Sequence, residues 1–187
     1  MKPVIIAIVG PSGCGKTTMA EYIKESFDIP TIVSFTTRPM RNGEQEGREH
    51  HFVTKDKMPS KKEMLAYTKF GEHHYWALHS QVPQEGICTY VIDEKGLLTL
   101  DENYGDEYTL FPVLVKMDKE KLQADTERIK RDKCRIRLSE EWFQLIIDNN
   151  GTLEEFKSKI QTKITTIINE NPIFEHFKMN RYSSTKR

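Results

Sequence analysis

The residues with the clearest chemistry stand near the start of the chain, where Gly10-Pro11-Ser12-Gly13-Cys14-Gly15-Lys16-Thr17 fits G-x-x-x-x-G-K-[ST] at every fixed position. Each residue type answers a need of anion binding. The glycines let consecutive backbone N–H groups turn inward, and a helix beginning at the loop's end would present its positive pole. Lys16 would meet the β- and γ-phosphates, and the Thr17 hydroxyl would ligate Mg²⁺. The triphosphate-binding candidates are therefore Gly10, Ser12, Gly13, Cys14, Gly15, Lys16, Thr17 and Thr18, with the side chains of Cys14 and Thr18 incidental to that logic. The motif points to a nucleoside triphosphate and is silent about what receives its phosphate.

A second group begins at Ser34 and reads Ser-Phe-Thr-Thr-Arg38-Pro-Met-Arg41-Asn-Gly-Glu44. Two arginines three residues apart, just past a strand, can converge as planar forks on one phosphate monoester. Asp93 closes another strand candidate. A carboxylate at that position beside a phosphate loop reaches Mg²⁺ or its water shell, so Asp93 joins Thr17 as a metal candidate, with a helix cap or turn as the plain alternative.

Positioning these groups requires an alternation of strands and helices. Val4 to Val9 is a continuous apolar run of the kind that forms a strand buried on both faces. From Lys16 the period changes, with Met19, Tyr22, Ile23 and Phe27 at helical spacing until Pro30. Further buried strands are expected at Thr31 to Phe35, Thr89 to Asp93 and Leu110 to Lys116. Helices are expected over the charged stretch Lys119 to Leu138 and over Leu153 to Ile168, the latter packing on the sheet, and 180–187 reads as a frayed tail. The pattern predicts an α/β protein with a mostly parallel sheet.

Length and composition agree with one domain. The chain has 187 residues, 37% hydrophobic and 30% charged, with 28 Lys+Arg against 28 Asp+Glu. That balance argues against disorder and against a generally basic, nucleic-acid-coating surface. No apolar stretch approaches a membrane span and the N-terminus lacks the pattern of a secretory signal, so a cytoplasmic protein is expected, with no membrane and no nucleic-acid partner. Cys14, Cys88 and Cys134 lack C-x-x-C spacing and are expected to be free thiols.

The phosphate loop, followed at this distance by the segment from Ser34 to Val53, resembles the guanylate kinase family, most clearly from Val4 to about Asp93 and more loosely to Asn150. The resemblance implies a P-loop kinase fold of three layers, α/β/α. Its core would be about 1–33, 80–125 and 143–179, its inserted monophosphate-binding region about 34–79, and its lid about 126–142. It implies ATP and Mg²⁺ as cofactors and phosphorylation of a nucleoside monophosphate, GMP or dGMP by family. Ser34, Arg38 and Arg41 would hold the acceptor's phosphate, with Glu44 orienting the arginines and Tyr75 on the same side. Lys16 and Arg41, with Arg128, Arg131 and Arg135 of the basic run 128–137, would stabilise the transferring charge. That run can also be read as a solvated face. Asn150 would lie near the adenine, or simply close a turn.

Departures from the family concern the acceptor. His50 stands where the family has a phosphate-binding tyrosine; imidazole can also donate, and adds a pH dependence. Ala66 and Ala77 stand where a glutamate and a hydroxyl read guanine, and Val91 where a second aspartate is common. Glu63, Glu72, His73 or His74 are conceivable replacements. Trp76, in place of glycine, would stack on a base, narrow the pocket, or pack in the interior. These departures predict an altered base specificity. Two other classes remain in view: a non-catalytic guanylate-kinase-like interaction module, and a GTP-binding switch suggested by Asp93-Glu94-Lys95-Gly96 and Val115-Lys116-Met117-Asp118.

Overall fold

The computed structural model describes residues 2–122 and 136–175. Strand β1 (Val4–Val9) is the axis of a five-stranded, wholly parallel sheet. Its neighbours are β7 (Ile87–Val91) and β8 (Thr109–Lys116), and the outer strands are β2 (Thr31–Ile32) and β9 (Leu145–Asp148). Every β1 side chain is buried because both faces of the sheet are covered. Val4, Ile6 and Ile8 join the core under α1 (Lys16–Phe27) and α3 (Leu153–Glu170), whereas Ile5, Ala7 and Val9 join the core on the side of α2 (Glu94–Tyr104). This is a three-layer α/β/α arrangement.

Helix α1 buries Met19, Ala20, Ile23 and Phe27, close to the face expected. Tyr22 lies beside that face and donates to Gln161 Oε1 of α3 at 3.1 Å. Helix α3 buries Phe156, Ile160, Ile164 and Ile168, while Leu153 stays exposed at its first turn. A capping box starts it: Thr152 Oγ1 accepts from the Glu155 N–H, and Glu155 Oε2 accepts from the Thr152 N–H.

The expected strand Thr31 to Phe35 is two pieces. Only Thr31–Ile32 pairs in the main sheet, and Phe35–Thr36 (β3) pairs in a second one. Between them, Gln81 Nε2 donates to the Val33 carbonyl at 2.8 Å, so a side chain takes an acceptor that a ladder would have used. The second sheet has the order β4-β3-β6-β5, with β4 His51–Phe52, β5 Met64–Phe70 and β6 His73–Leu78. Strands β5 and β6 form an antiparallel hairpin turning at Gly71 (φ 58°) and Glu72. At the ends of the expected charged helix, Lys119–Lys121 is a single 3₁₀ turn and 136–139 has no regular structure. The rest of that stretch, with Arg128, Arg131, Cys134 and Arg135, lies outside the described residues, as does the tail 180–187.

Candidate nucleotide-binding cleft

The loop between β1 and α1 is held in shape by its glycines. Gly10, Gly13 and Gly15 have φ of 154°, 82° and 99°, a backbone that side chains rarely adopt. A Cβ on Gly10 would lie 2.4 Å from the Val115 carbonyl oxygen, and one on Gly15 would lie 2.6 Å from Asn149 Nδ2. Asn149 in turn donates from Nδ2 to the Cys14 carbonyl at 2.9 Å, bracing the loop from the β9–α3 turn. Cys14 therefore serves through its backbone, while its side chain is buried in the core. Lys16 curls back, donating to the carbonyls of Gly10 (2.8 Å) and Pro11 (2.7 Å).

A cleft of about 750 Å³ runs from this loop to the second sheet. Gly10, Ser12, Gly13, Lys16 and Thr17 line one end; Ser34, Arg38, Arg41, Glu44, His50 and Tyr75 line the other, and Asp93 also faces the space. The two groups singled out in the sequence thus open onto one cavity. Thr18 and Asn150 do not line it. Asn150 accepts from the Asp118 N–H through Oδ1 at 2.8 Å and from Lys121 Nζ through its carbonyl, closing the turn beside Asn149.

The end of the cleft at the second sheet is preorganised. Arg38, 6% exposed, donates from Nη1 and Nη2 to the two oxygens of Glu44 at 2.6 and 2.7 Å, and Glu44 also accepts from the Arg41 N–H at 2.9 Å. Burial alone would raise the Glu44 carboxyl; the Arg38 fork and the Arg41 N–H outweigh it and hold the group at about 2. The Arg38 guanidinium sits over the Phe52 ring, 5.3 Å from its centre. Its buried Nε–H has no hydrogen-bond partner among the described residues. Ser34 Oγ and His50 Nδ1 are 2.8 Å apart, and the His50 ring meets Tyr75 edge-on at 5.6 Å.

Asp93 lies two residues past β7, short of closing that strand as expected, and is the N-cap of α2, where Oδ1 accepts from the Gly96 N–H at 2.7 Å. The capping role weighed in the sequence is thus present, and the same residue still faces the cleft. Mg²⁺ in such sites keeps several waters and takes few protein ligands, so Thr17 and Asp93 on one cleft are a donor set of the right kind.

Trp76 does not stand in the pocket. It is 2% exposed and stacks on Phe35 across the β3–β6 pair, with centroids 5.7 Å apart, because alternation along β6 turns it to the opposite side from Tyr75. Nor do the conceivable base readers line the cleft. Glu63 accepts from the Ser60 N–H and hydroxyl, buried His74 shares a 2.8 Å hydrogen bond with the Tyr67 hydroxyl, and Glu72 and His73 sit at the hairpin turn. Asn149 is the site residue that the sequence reading passed over; its one signal was its place beside Asn150, after an apolar run.

A parallel α/β/α core with a glycine loop after its first strand and an inserted arginine-bearing sheet is the architecture of a P-loop kinase. The guanylate kinase family model matches residues 1–86. The guanylate kinase of Syntrophotalea carbinolica is 30% identical over 183 residues, covering 84% of each chain, and that of Fusobacterium nucleatum is 31% identical over 162 residues, covering 83% of each. The crystal structure of guanylate kinase from Anaplasma phagocytophilum superposes with a TM-score of 0.59 at 18% identity, covering 91% of this chain and 88% of that one, which shows the shared fold. The chain belongs to the guanylate kinase family. No helix among the described residues is long and apolar enough to cross a membrane.

Proposed function

We propose that this protein transfers the terminal phosphoryl group of ATP to a nucleoside monophosphate, giving ADP and a nucleoside diphosphate, as a cytoplasmic enzyme of nucleotide metabolism. One observation carries the reading: a single cleft has the phosphate loop at one end and the Arg38–Glu44–Arg41 cluster at the other. An in-line transfer needs both phosphates held in one enclosed space, and it needs no protein nucleophile.

Lys16 would leave the Gly10 and Pro11 carbonyls to neutralise the β/γ-phosphates. Glu44 fixes the plane of Arg38, and the unpartnered buried Nε–H is a donor that an anion at this end would satisfy. Arg41, Ser34, His50 and Tyr75 line the same end of the cleft and would contact that phosphate. Thr17 and Asp93 would hold Mg²⁺, which supplies charge stabilisation on the transferring group. Arg128, Arg131 and Arg135, which lie outside the described residues, would by the family resemblance stabilise charge on the transferring group.

The test is a pair of variants. Lys16→Ala should lose ATP binding and turnover, whereas Arg41→Ala should retain ATP binding and lose acceptor affinity. Equal losses of both nucleotides in Arg41→Ala would refute this assignment of sides. Unchanged ATP binding in Lys16→Ala would refute the role given to Lys16.

A further inference from the structure

Resting on the reading that the cleft accepts a nucleoside monophosphate, we infer that Tyr90 is a further acceptor-binding residue, whose hydroxyl hydrogen-bonds the acceptor's base.

Tyr90 is the last residue but one of β7 and is 4% exposed. In the parallel register it stands beside Ala7 of β1 and Ile32 of β2, so the three side chains share one face of the main sheet. That face packs on α2 and on the second sheet: Ala7, Ile32 and Tyr90 belong to one core with Leu65 of β5, Ala77 of β6 and Leu97 of α2. The next residue, Val91, turns to the other core, under α1 and α3. This packing accounts for the ring of Tyr90, and a phenylalanine would serve it as well.

The hydroxyl has no such account. It makes no hydrogen bond among the described residues, and Tyr90 lines the cleft, as do Ile32, Ala66 and Ile92. Buried polar groups are hydrogen-bonded with few exceptions, so a phenol that meets a cavity with no protein partner is a partner for what enters the cavity. Burial, with the Asp93 carboxylate nearby, pushes this phenol up. It therefore stays protonated at neutral pH and can both donate and accept.

The acceptor's phosphate has cationic donors of its own in Arg38 and Arg41. A base needs something else: an apolar surface with a few polar groups to orient it. Ile32, Ala66 and Ile92 supply apolar lining, and Ala66 packs against the core that holds Tyr90. Ala66 and Ala77 have no polar side-chain atom, and Tyr90 brings one from the main sheet. Such a hydroxyl can meet the N1–H, the 2-amino group or the 6-oxo group of guanine, the base that the family resemblance implies.

The test compares the full chain with Tyr90→Phe, which removes one oxygen and keeps the ring. ADP release from Mg-ATP is measured with GMP, dGMP, AMP, CMP and UMP as single acceptors. Ribose 5-phosphate, which lacks a base, is titrated as a competitor, and ATP binding is followed by calorimetry. Tyr90→Phe should raise the KM of the best acceptor about 3- to 10-fold, the loss of one hydrogen bond. The ATP Kd, the ribose 5-phosphate Ki and the Tm should not change. Tyr90→Met, a second protein without the hydroxyl, should show a KM raised at least as much, so the outcome does not hang on one variant. An unchanged acceptor KM would overturn the inference. So would a ribose 5-phosphate Ki raised by the same factor, which would give the hydroxyl to sugar or phosphate, or a Tm of Tyr90→Phe lowered by several degrees, which would make it structural. Each of these leaves phosphoryl transfer standing. ATP binding without ADP release for every acceptor would overturn the transfer reading, and this inference with it.

Discussion

Glu44 grips Arg38 with both carboxylate oxygens, at 2.6 and 2.7 Å, in a pair whose side chains are 6% and 5% exposed. The contact joins two residues six apart across a tight loop, and it fixes the guanidinium before any anion arrives. Its energetic weight depends on pH. With the carboxyl held at about 2 against an ordinary 4.5, its contribution is complete above about pH 4.5 and is lost as pH falls towards 2. Glu44→Gln should therefore lower stability by about 1–3 kcal/mol at pH 7, less than an unscreened pair because it borders an open cleft. Thermal melts of both proteins at pH 7 and pH 3 check this: the gap in Tm should narrow on acidification, and a constant gap would refute the linkage.

Arg41 contributes its backbone N–H to Glu44 and its side chain to the cleft. Removing a charge-assisted phosphate contact costs about 1.5–3 kcal/mol. Arg41→Ala should raise the acceptor KM by roughly 10- to 100-fold on that scale, with the ATP Kd nearly unchanged. Initial-rate kinetics with each nucleotide varied in turn would separate the two.

The loop's shape depends on Gly15 and Asn149 together. Gly15→Ala places a Cβ 2.6 Å from Asn149 Nδ2 at φ 99°, so it should destabilise the protein by about 1–3 kcal/mol and weaken ATP binding. Asn149→Ala removes only the bond to the Cys14 carbonyl and should cost about 1 kcal/mol. Melting curves with and without Mg-ATP would show both effects, and an Asn149→Ala protein of wild-type ATP affinity would show that the brace is dispensable.

Ser34 and His50 act as one unit at 2.8 Å. A Ser34 hydroxyl donating to Nδ1 places the ring proton on Nε2, ready to donate to a phosphate oxygen. His50→Ala should raise the acceptor KM several-fold with the ATP Kd unchanged, and His50→Tyr, which keeps a donor at this position, should largely restore it. Initial-rate kinetics of the three proteins are the check; an unchanged acceptor KM in His50→Ala would remove His50 from the phosphate site.

The core was legible because its patterns are local. The apolar run of β1, the glycine loop and the period of α1 and α3 each predict their own structure within a dozen residues. What escaped was non-local. Strand β9 is short and its Ile147-Asp148 end reads as a turn, and the β5–β6 hairpin mixes polar and apolar residues around Gly71-Glu72 without strict alternation. Trp76 was ambiguous for the same reason: only the β6 register decides which face it takes, and that face packs on Phe35. At the site, both segments that line the cleft were readable from residue type and spacing. The Asn149 contact was not, because it joins positions 135 apart in the chain.

The most direct measurement is transfer of labelled γ-phosphate from Mg-ATP to a pool of nucleoside monophosphates, with a no-acceptor control and the Lys16→Ala protein alongside. The account predicts a labelled nucleoside diphosphate that depends on the acceptor and on Lys16. Hydrolysis at the same rate without acceptor, or no labelled diphosphate from any monophosphate, would contradict it.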